Sequence, residues 1–363
     1  MTLRHSWMST VAAGLVLAGS GAAAATAATA APAAPGPAPV PAGFQPISAT
    51  FVSASDGWVL GTAPCAHRPC TSVLRTTDGG RQWVGIPAPR YPIGGPGNGG
   101  LQRIRFADPH DGFAFGTQLW ATHNGGSSWH RVTQVPGTIV DLEASAGVVY
   151  AASENNTSET MTIYRSPAGR DHWTRVSGLP VAGTYYGGLG TITLHGAAAW
   201  IIIRNRLYSS PTGAHWTLDS VRCPAGWGMD NVGAYTTTSI TLLCAGDPAA
   251  GSTQKAVYVS ANGGATFTRA GAVPDGGDGG LLAEPTPQHL FVATSSGATW
   301  IYVSDNGGRT WRIALTLGDG GKGWSDFGFT TASQGLAVEG YPSIGSTLYL
   351  TWDAGRTWHH VLF

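Results

Sequence analysis

Three carboxylates, Asp230, Glu284 and Asp326, are candidates for acid–base chemistry on inner strands. Two such groups facing each other across a cleft at about 5–10 Å would suffice to hydrolyse a glycosidic bond. Arg103 and Arg105 stand two residues apart in Arg103-Ile104-Arg105-Phe106, a spacing that puts both guanidinium groups on one face of a strand. There they form an anion- or partner-binding patch, or they make salt bridges to Asp326 or Glu143. Tyr185, Tyr186, Trp227 and Trp324 bring flat rings to glycine-rich stretches, suited to stacking on sugar faces or peptide. Asp275, Asp278 and Asp319 offer oxygens for Ca²⁺, although acidic Gly-rich turns usually hold none. The 11 histidines are scattered on turns with no pair at metal-ligand spacing, so neither a metal nor a cofactor is expected.

The elements that must position these residues are announced by a repeated octet. Ser304-Asp305-Asn306-Gly307-Gly308-Arg309-Thr310-Trp311 recurs, in better or worse copies, seven times, with closing aromatics Trp83, Trp129, Trp173, Trp216, Phe267, Trp311 and Trp358 at intervals of 43 to 51 residues. Its third position is Asp78, Asn124, Ala168, Pro211, Asn262, Asn306 and Asp353. An Asx side chain there accepts hydrogen bonds from amides further along, a following Gly supplies a positive φ, and the leading Ser/Thr hydroxyl adds a local partner. Ala168 and Pro211 have lost the acceptor, so the third and fourth turns are expected to be rebuilt. The closing aromatic starts the next strand and pins the turn. Truncating Trp311 is expected to cost about 3–5 kcal/mol, more than losing one turn acceptor.

A period of this size carried by a turn between short strands marks a propeller blade. The octet resembles the Asp-box, or BNR repeat, of sialidases, sortilin-type receptors, xyloglucanase-type glycoside hydrolases and photosystem II assembly-factor propellers. The resemblance covers all seven repeats. It is strengthened toward the assembly-factor branch by a second phrase, an aromatic six residues before a Gly, in Phe51 to Gly57, Phe106 to Gly112 and Phe329 to Gly335. It implies an all-β, seven-bladed propeller of four-stranded antiparallel blades, with the octet joining third and fourth strands. The candidate ligand residues then fall on the face opposite the octets. Sialidase chemistry calls for three arginines, a Tyr–Glu pair and an acidic Asp. The family's Phe/Tyr-Arg-Ile/Leu-Pro phrase does not occur here, and none of Glu143, Glu154, Glu159, Glu284 or Glu339 is identifiable as a partner for Tyr185 or Tyr186. The branch implies a binding scaffold; a sialidase- or xyloglucanase-like hydrolase is the alternative.

With 20 basic and 20 acidic side chains in 363 residues, the charge balance carries no nucleic-acid footprint. Residues 1–25, with Arg4 and His5 ahead of an apolar Val11 to Ala18 and small residues after it, read as a secretory signal peptide rather than a membrane anchor. Residues 26–43 are an Ala/Pro-rich leader expected to lack structure, and 44–363 form the propeller. An exported chain tolerates disulfides. Of the three pairings open to four cysteines, Cys65 with Cys70 and Cys223 with Cys244 are favoured over the others and over a metal site. The expected product is a secreted monomer that binds an extracellular glycan or protein.

Overall fold

A computed structural model describes residues 38–66, 69–94, 99–155, 157–158, 160–180, 191–318 and 320–363. The expected signal peptide, most of the leader, Tyr185 and Tyr186 lie outside them. Seven sheets of four antiparallel strands follow one another along the chain. The inner strands are Gln45–Phe51, Leu101–Phe106, Thr138–Ser145, Ile192–His195, Gly228–Ala234, Asp278–Ala283 and Trp324–Phe329, and each opens one of blades one to seven. The protein is a seven-bladed β-propeller. The second strands are almost wholly buried and pack against neighbouring blades; Leu142, Val149 and Ala151 of blade three, for instance, join Phe113, Phe115 and Leu119 of blade two in one buried cluster.

The octets join third to fourth strands. In blade one the Thr76 hydroxyl donates to Asp78 Oδ1 at 2.8 Å and accepts from the Gly80 amide at 3.0 Å, while Asp78 Oδ1 also accepts from the amides of Arg81 and Gln82. The same pattern of bonds recurs at Asn124, Asn262, Asn306 and Asp353. In blade three Ser166 instead bonds Arg170 O and the His172 amide, and in blade four Ser209 bonds Asp219. Both are the rebuilt turns that the missing Asx residues demand. In the other five blades the fourth octet position is also left-handed, including at Ala354, with φ of 59°.

The aromatics do not dominate the core in the way their repetition suggests. Of the seven closing rings only Trp173 is buried, while the fully buried indoles Trp58 and Trp200 stand on second strands. Each donates its N–H to the carbonyl of an octet glycine in the following blade, Gly125 at 3.2 Å and Gly263 at 3.0 Å.

Six of the seven inner strands carry a bulge or register shift near their first residues: at Ile47, Gln102, Val140, Asp230, Gly279-Gly280 and Ser325. A bulge re-aims the side chains beside it. Residues at or just after these bulges reach the adjacent blade's backbone. Ser48 Oγ accepts from Ile104 N at 3.0 Å, Asp141 Oδ2 from Ile192 N at 2.7 Å, and Asp326 Oδ2 from Ala49 N at 3.1 Å. The last of these spans blades seven and one. Closure is completed there by Trp352 Nε1 donating to Gly79 O and by Phe44 edge-on to Phe363, with no strand exchanged between blades among the described residues. Ala38, inside the expected leader, pairs with Gly85 on the outer strand of blade one. Both favoured disulfides are formed, Cys65–Cys70 and Cys223–Cys244, which fits an oxidising environment. No helix among the described residues is long and apolar enough to cross a membrane.

Candidate functional site

The inner strands surround a cavity of about 750 Å³ that runs along the channel, lined by Arg103, Arg105, Asp230, Glu284 and Asp326 among others. All five candidate charged residues therefore share one space, but they are not equivalent.

Arg105 is consumed by its neighbours. Its Nη1 and Nη2 each lie 2.9 Å from an oxygen of Asp326, and its Nε lies 3.2 Å from Glu143 Oε1. Ser48 Oγ and the amides of Ala49 and Phe327 also donate to Asp326. Burial alone would raise the Asp326 carboxyl, yet Arg105, Arg103 and Ser48 outweigh it and hold the group below the usual carboxylate range. A carboxylate so held is a poor proton donor at neutral pH. The resulting knot ties blades two, three and seven together. Arg103, two residues away, keeps its guanidinium in the cavity without a hydrogen bond or ion pair among the described residues; Asp141 and Asp326 act on it only at longer range. Of the two roles open to this arginine pair, Arg105 takes the salt bridge and Arg103 is left facing the channel.

The other carboxyls are shifted upward. Desolvation raises Glu284 to about 8 against hydrogen bonds from Ser239 and Thr241, Glu143 to about 7 against Arg105, and Asp230 to about 6 against the Gly280 amide and Lys255. Glu284 Oε2 and Asp230 Oδ2 have no hydrogen-bond partner among the described residues. Raised carboxyls in a cavity are what a general acid needs. Their placement does not fit a glycosidase pair, however. Asp230 Oδ2 lies 3.8 Å from where a Cβ on Gly280 would stand. Glu284 Oε2 instead lies 3.4 Å from where a Cβ on Gly233 would stand, three residues beyond Asp230 on the facing strand, so the two carboxyls sit at different levels of the channel rather than opposite each other.

These shifts set a pH dependence. A carboxyl whose folded pKa is raised keeps a proton that the unfolded chain has released, so its contribution is complete below the unfolded value and lost as pH rises through the folded one. Asp78, Asp326 and Asp353, all lowered, act oppositely and lose theirs only in acid. Stability is therefore expected to peak near about pH 5 and to decline toward about pH 9. Glu284→Gln, which keeps an oxygen to accept from Ser239 and cannot ionise, is expected to stabilise the protein by about 2 kcal/mol at alkaline pH and to change little near pH 5. Denaturant melts at the two pH values check this; equal effects at both would refute it.

Of the expected aromatic face, Trp324 is corrected. It is 9 % exposed, and its indole N–H is spent on the carbonyls of Thr294 and Trp300, so its ring cannot meet a ligand. Trp227 is half-buried, its ring 3.2 Å from where a Cβ on Gly246 would stand. Two residues of the site escaped the sequence reading. Asp141 lies two before Glu143 on the same strand face, and that spacing was available as a signal. Lys255, 1 % exposed, points its ammonium at the carbonyls of Thr253, Asp275 and Gly277 and fixes the loop beside Asp230; nothing in its local sequence marks it.

The histidines are not all dispersed. His123, His130 and Asp171 place one ligand-type atom each within 4.8 Å of one another on the octet side of blades two and three.

No family model and no curated protein matches the chain. Among solved structures, YCF48 from Cyanidioschyzon merolae superposes with a TM-score of 0.58 at 19% identity, over 89% of this chain and 99% of that one. A structure titled YCF48 bound to D1 peptide gives 0.58 at 16%, over 88% and 96%. The GH74 enzyme of Niastella koreensis reaches only 0.34 at 14%, over 87% of this chain and 65% of that one. At these identities the likeness is one of architecture: the chain is a seven-bladed β-propeller of four-stranded antiparallel blades, a fold it shares with YCF48.

Proposed function

We propose that this protein is a secreted, non-catalytic binding propeller that holds an acidic stretch of a protein partner in its channel. The observation that carries this reading is Arg103, a guanidinium facing a roomy cavity with no hydrogen bond or ion pair among the described residues, beside a second arginine already neutralised. A guanidinium so placed recognises carboxylates by paired N–H donors. The structurally similar YCF48 with a bound D1 peptide supports a peptide over a glycan. The two disulfides and the signal-like residues 1–25 support export. The hydrolase alternative draws on the raised carboxyls of Glu284 and Asp230 and is weakened by their separation.

Fluorescence anisotropy with labelled peptides of equal length, acidic or neutral, tests the reading. The wild-type chain is expected to prefer the acidic set, and Arg103→Gln to weaken that binding by about 10- to 100-fold. Equal affinity for both sets, or an Arg103→Gln variant that binds as tightly as wild type, would contradict it.

A further inference from the structure

In blades two, six and seven the second octet residue meets, across the turn, the residue that follows the closing aromatic. In blade six they are Asp305 and Arg312, an ion pair at 3.1 Å; in blade seven they are Trp352 and His359, rings 5.5 Å apart. In blade two both are histidine, His123 and His130, again with ring centroids 5.5 Å apart. Blade three then contributes Asp171 from its rebuilt octet. One carboxylate oxygen, Asp171 Oδ2, is approached by Nε2 of both imidazoles, at 3.4 Å from His123 and closer from His130. The far nitrogen of His123, Nδ1, is held by Asp111 Oδ1 at 2.7 Å.

We propose that His123, His130 and Asp171 form a binding site for a single zinc-type divalent cation, clasping blade two to blade three. Two imidazoles and a carboxylate are borderline ligands that suit such an ion better than Ca²⁺ or Mg²⁺. Zinc bonds of 2.0–2.2 Å in a tetrahedron separate ligand atoms by about 3.3 Å, which is the His123 to Asp171 spacing already present. All three donor atoms already lie within 4.8 Å of one another, and the His130 side chain, 50 % exposed, is free to adjust to that geometry. A carboxylate on the remote nitrogen of a ligating histidine fixes its tautomer and raises its basicity, and Asp111 stands in that position. Three protein ligands leave the fourth position to water or to a donor from a partner. The site closes a seam where the local turn has lost its own Asx acceptor at Ala168. It is independent of the channel and of any ligand held there.

The test is calorimetric titration of Zn²⁺ into the metal-stripped chain, purified without a polyhistidine tag, alongside His130→Gln, Asp171→Asn and Asp111→Asn. Of the three positions His130 is exposed and Asp111 and Asp171 are half-buried, and circular dichroism verifies folding of each variant. The wild type is expected to take up one equivalent saturably with a rise in melting temperature. His130→Gln and Asp171→Asn should each abolish that uptake, and Asp111→Asn should weaken it by about 10- to 100-fold. No saturable uptake by the wild type, or uptake unchanged in both His130→Gln and Asp171→Asn, would overturn the proposal.

Discussion

Arg105→Met is expected to destabilise the protein by about 3–5 kcal/mol, because it strands a buried charge rather than merely removing a bond. Asp326 is 1 % exposed and takes both of its oxygens' charged partners from this one guanidinium. Glu143 loses its partner in the same step. The diagnostic comparison is the double variant Arg105→Met with Asp326→Asn. If the cost is an unpaired carboxylate, neutralising it restores at least half of the loss; if Arg105 matters only through packing, the second change adds its own penalty. A melting temperature within a degree or two of wild type for Arg105→Met would show that the knot does not hold the blades together. Since the knot joins blades two, three and seven, the same variant is expected to alter the channel, which makes Arg103 the cleaner probe of binding.

The second large effect is expected at Trp58. Its ring stacks on Phe106 with centroids 3.8 Å apart and planes 5° from parallel, Arg75 lies over it at 5.2 Å, and its N–H reaches Gly125 in the next blade. Trp58→Ala opens a cavity at the seam between blades one and two and is expected to cost about 3–5 kcal/mol. Trp58→Phe retains most of the stack and leaves the Gly125 carbonyl without its donor, costing about 1–3 kcal/mol. Trp311→Ala, at a half-buried octet ring, is expected to cost less than Trp58→Ala. Equilibrium unfolding of the three variants orders them, and a larger loss at Trp311 would return the leading structural role to the octet aromatics.

That reversal marks where sequence reasoning reaches and where it stops. The octet is legible because its bonds run between residues at most a few positions apart, so the requirement for Ser/Thr, Asx and Gly is written in one short window. The blade count and the two rebuilt turns at Ala168 and Pro211 follow from it. Burial of a Trp depends on which blade lies across from it, and the window around Trp311 holds no such information. The inner strand of blade five, Gly228–Ala234, is hard to read from sequence because Gly228-Met229-Asp230-Asn231 breaks the alternation expected of a strand. The strand forms nonetheless, since a bulge at Asp230 lets Met229 and Val232 both reach the core.

The candidate site was legible in part, for related reasons. Asp230, Glu284, Asp326, Arg103 and Arg105 do line one cavity, because inner strands of a propeller all face the channel. What each does there is set by contacts between residues far apart in sequence, such as Arg105 with Asp326. The separation of Asp230 from Glu284 needed the cross-blade register. The His123, His130 and Asp171 cluster was missed because the first two are related through a turn and the third arrives from the next blade, a juxtaposition no ligand-spacing rule encodes.

The proposed role is binding in the channel without transformation of the ligand. The most direct measurement is turnover by the purified protein on a panel of fluorogenic sialosides together with β-glucan and xyloglucan oligosaccharides, at pH values from 5 to 8. No turnover is expected on any member of the panel at any of these pH values. Hydrolysis that is present in the wild type and abolished by Asp230→Asn or Glu284→Gln would contradict it and make the raised carboxyls of the cavity catalytic.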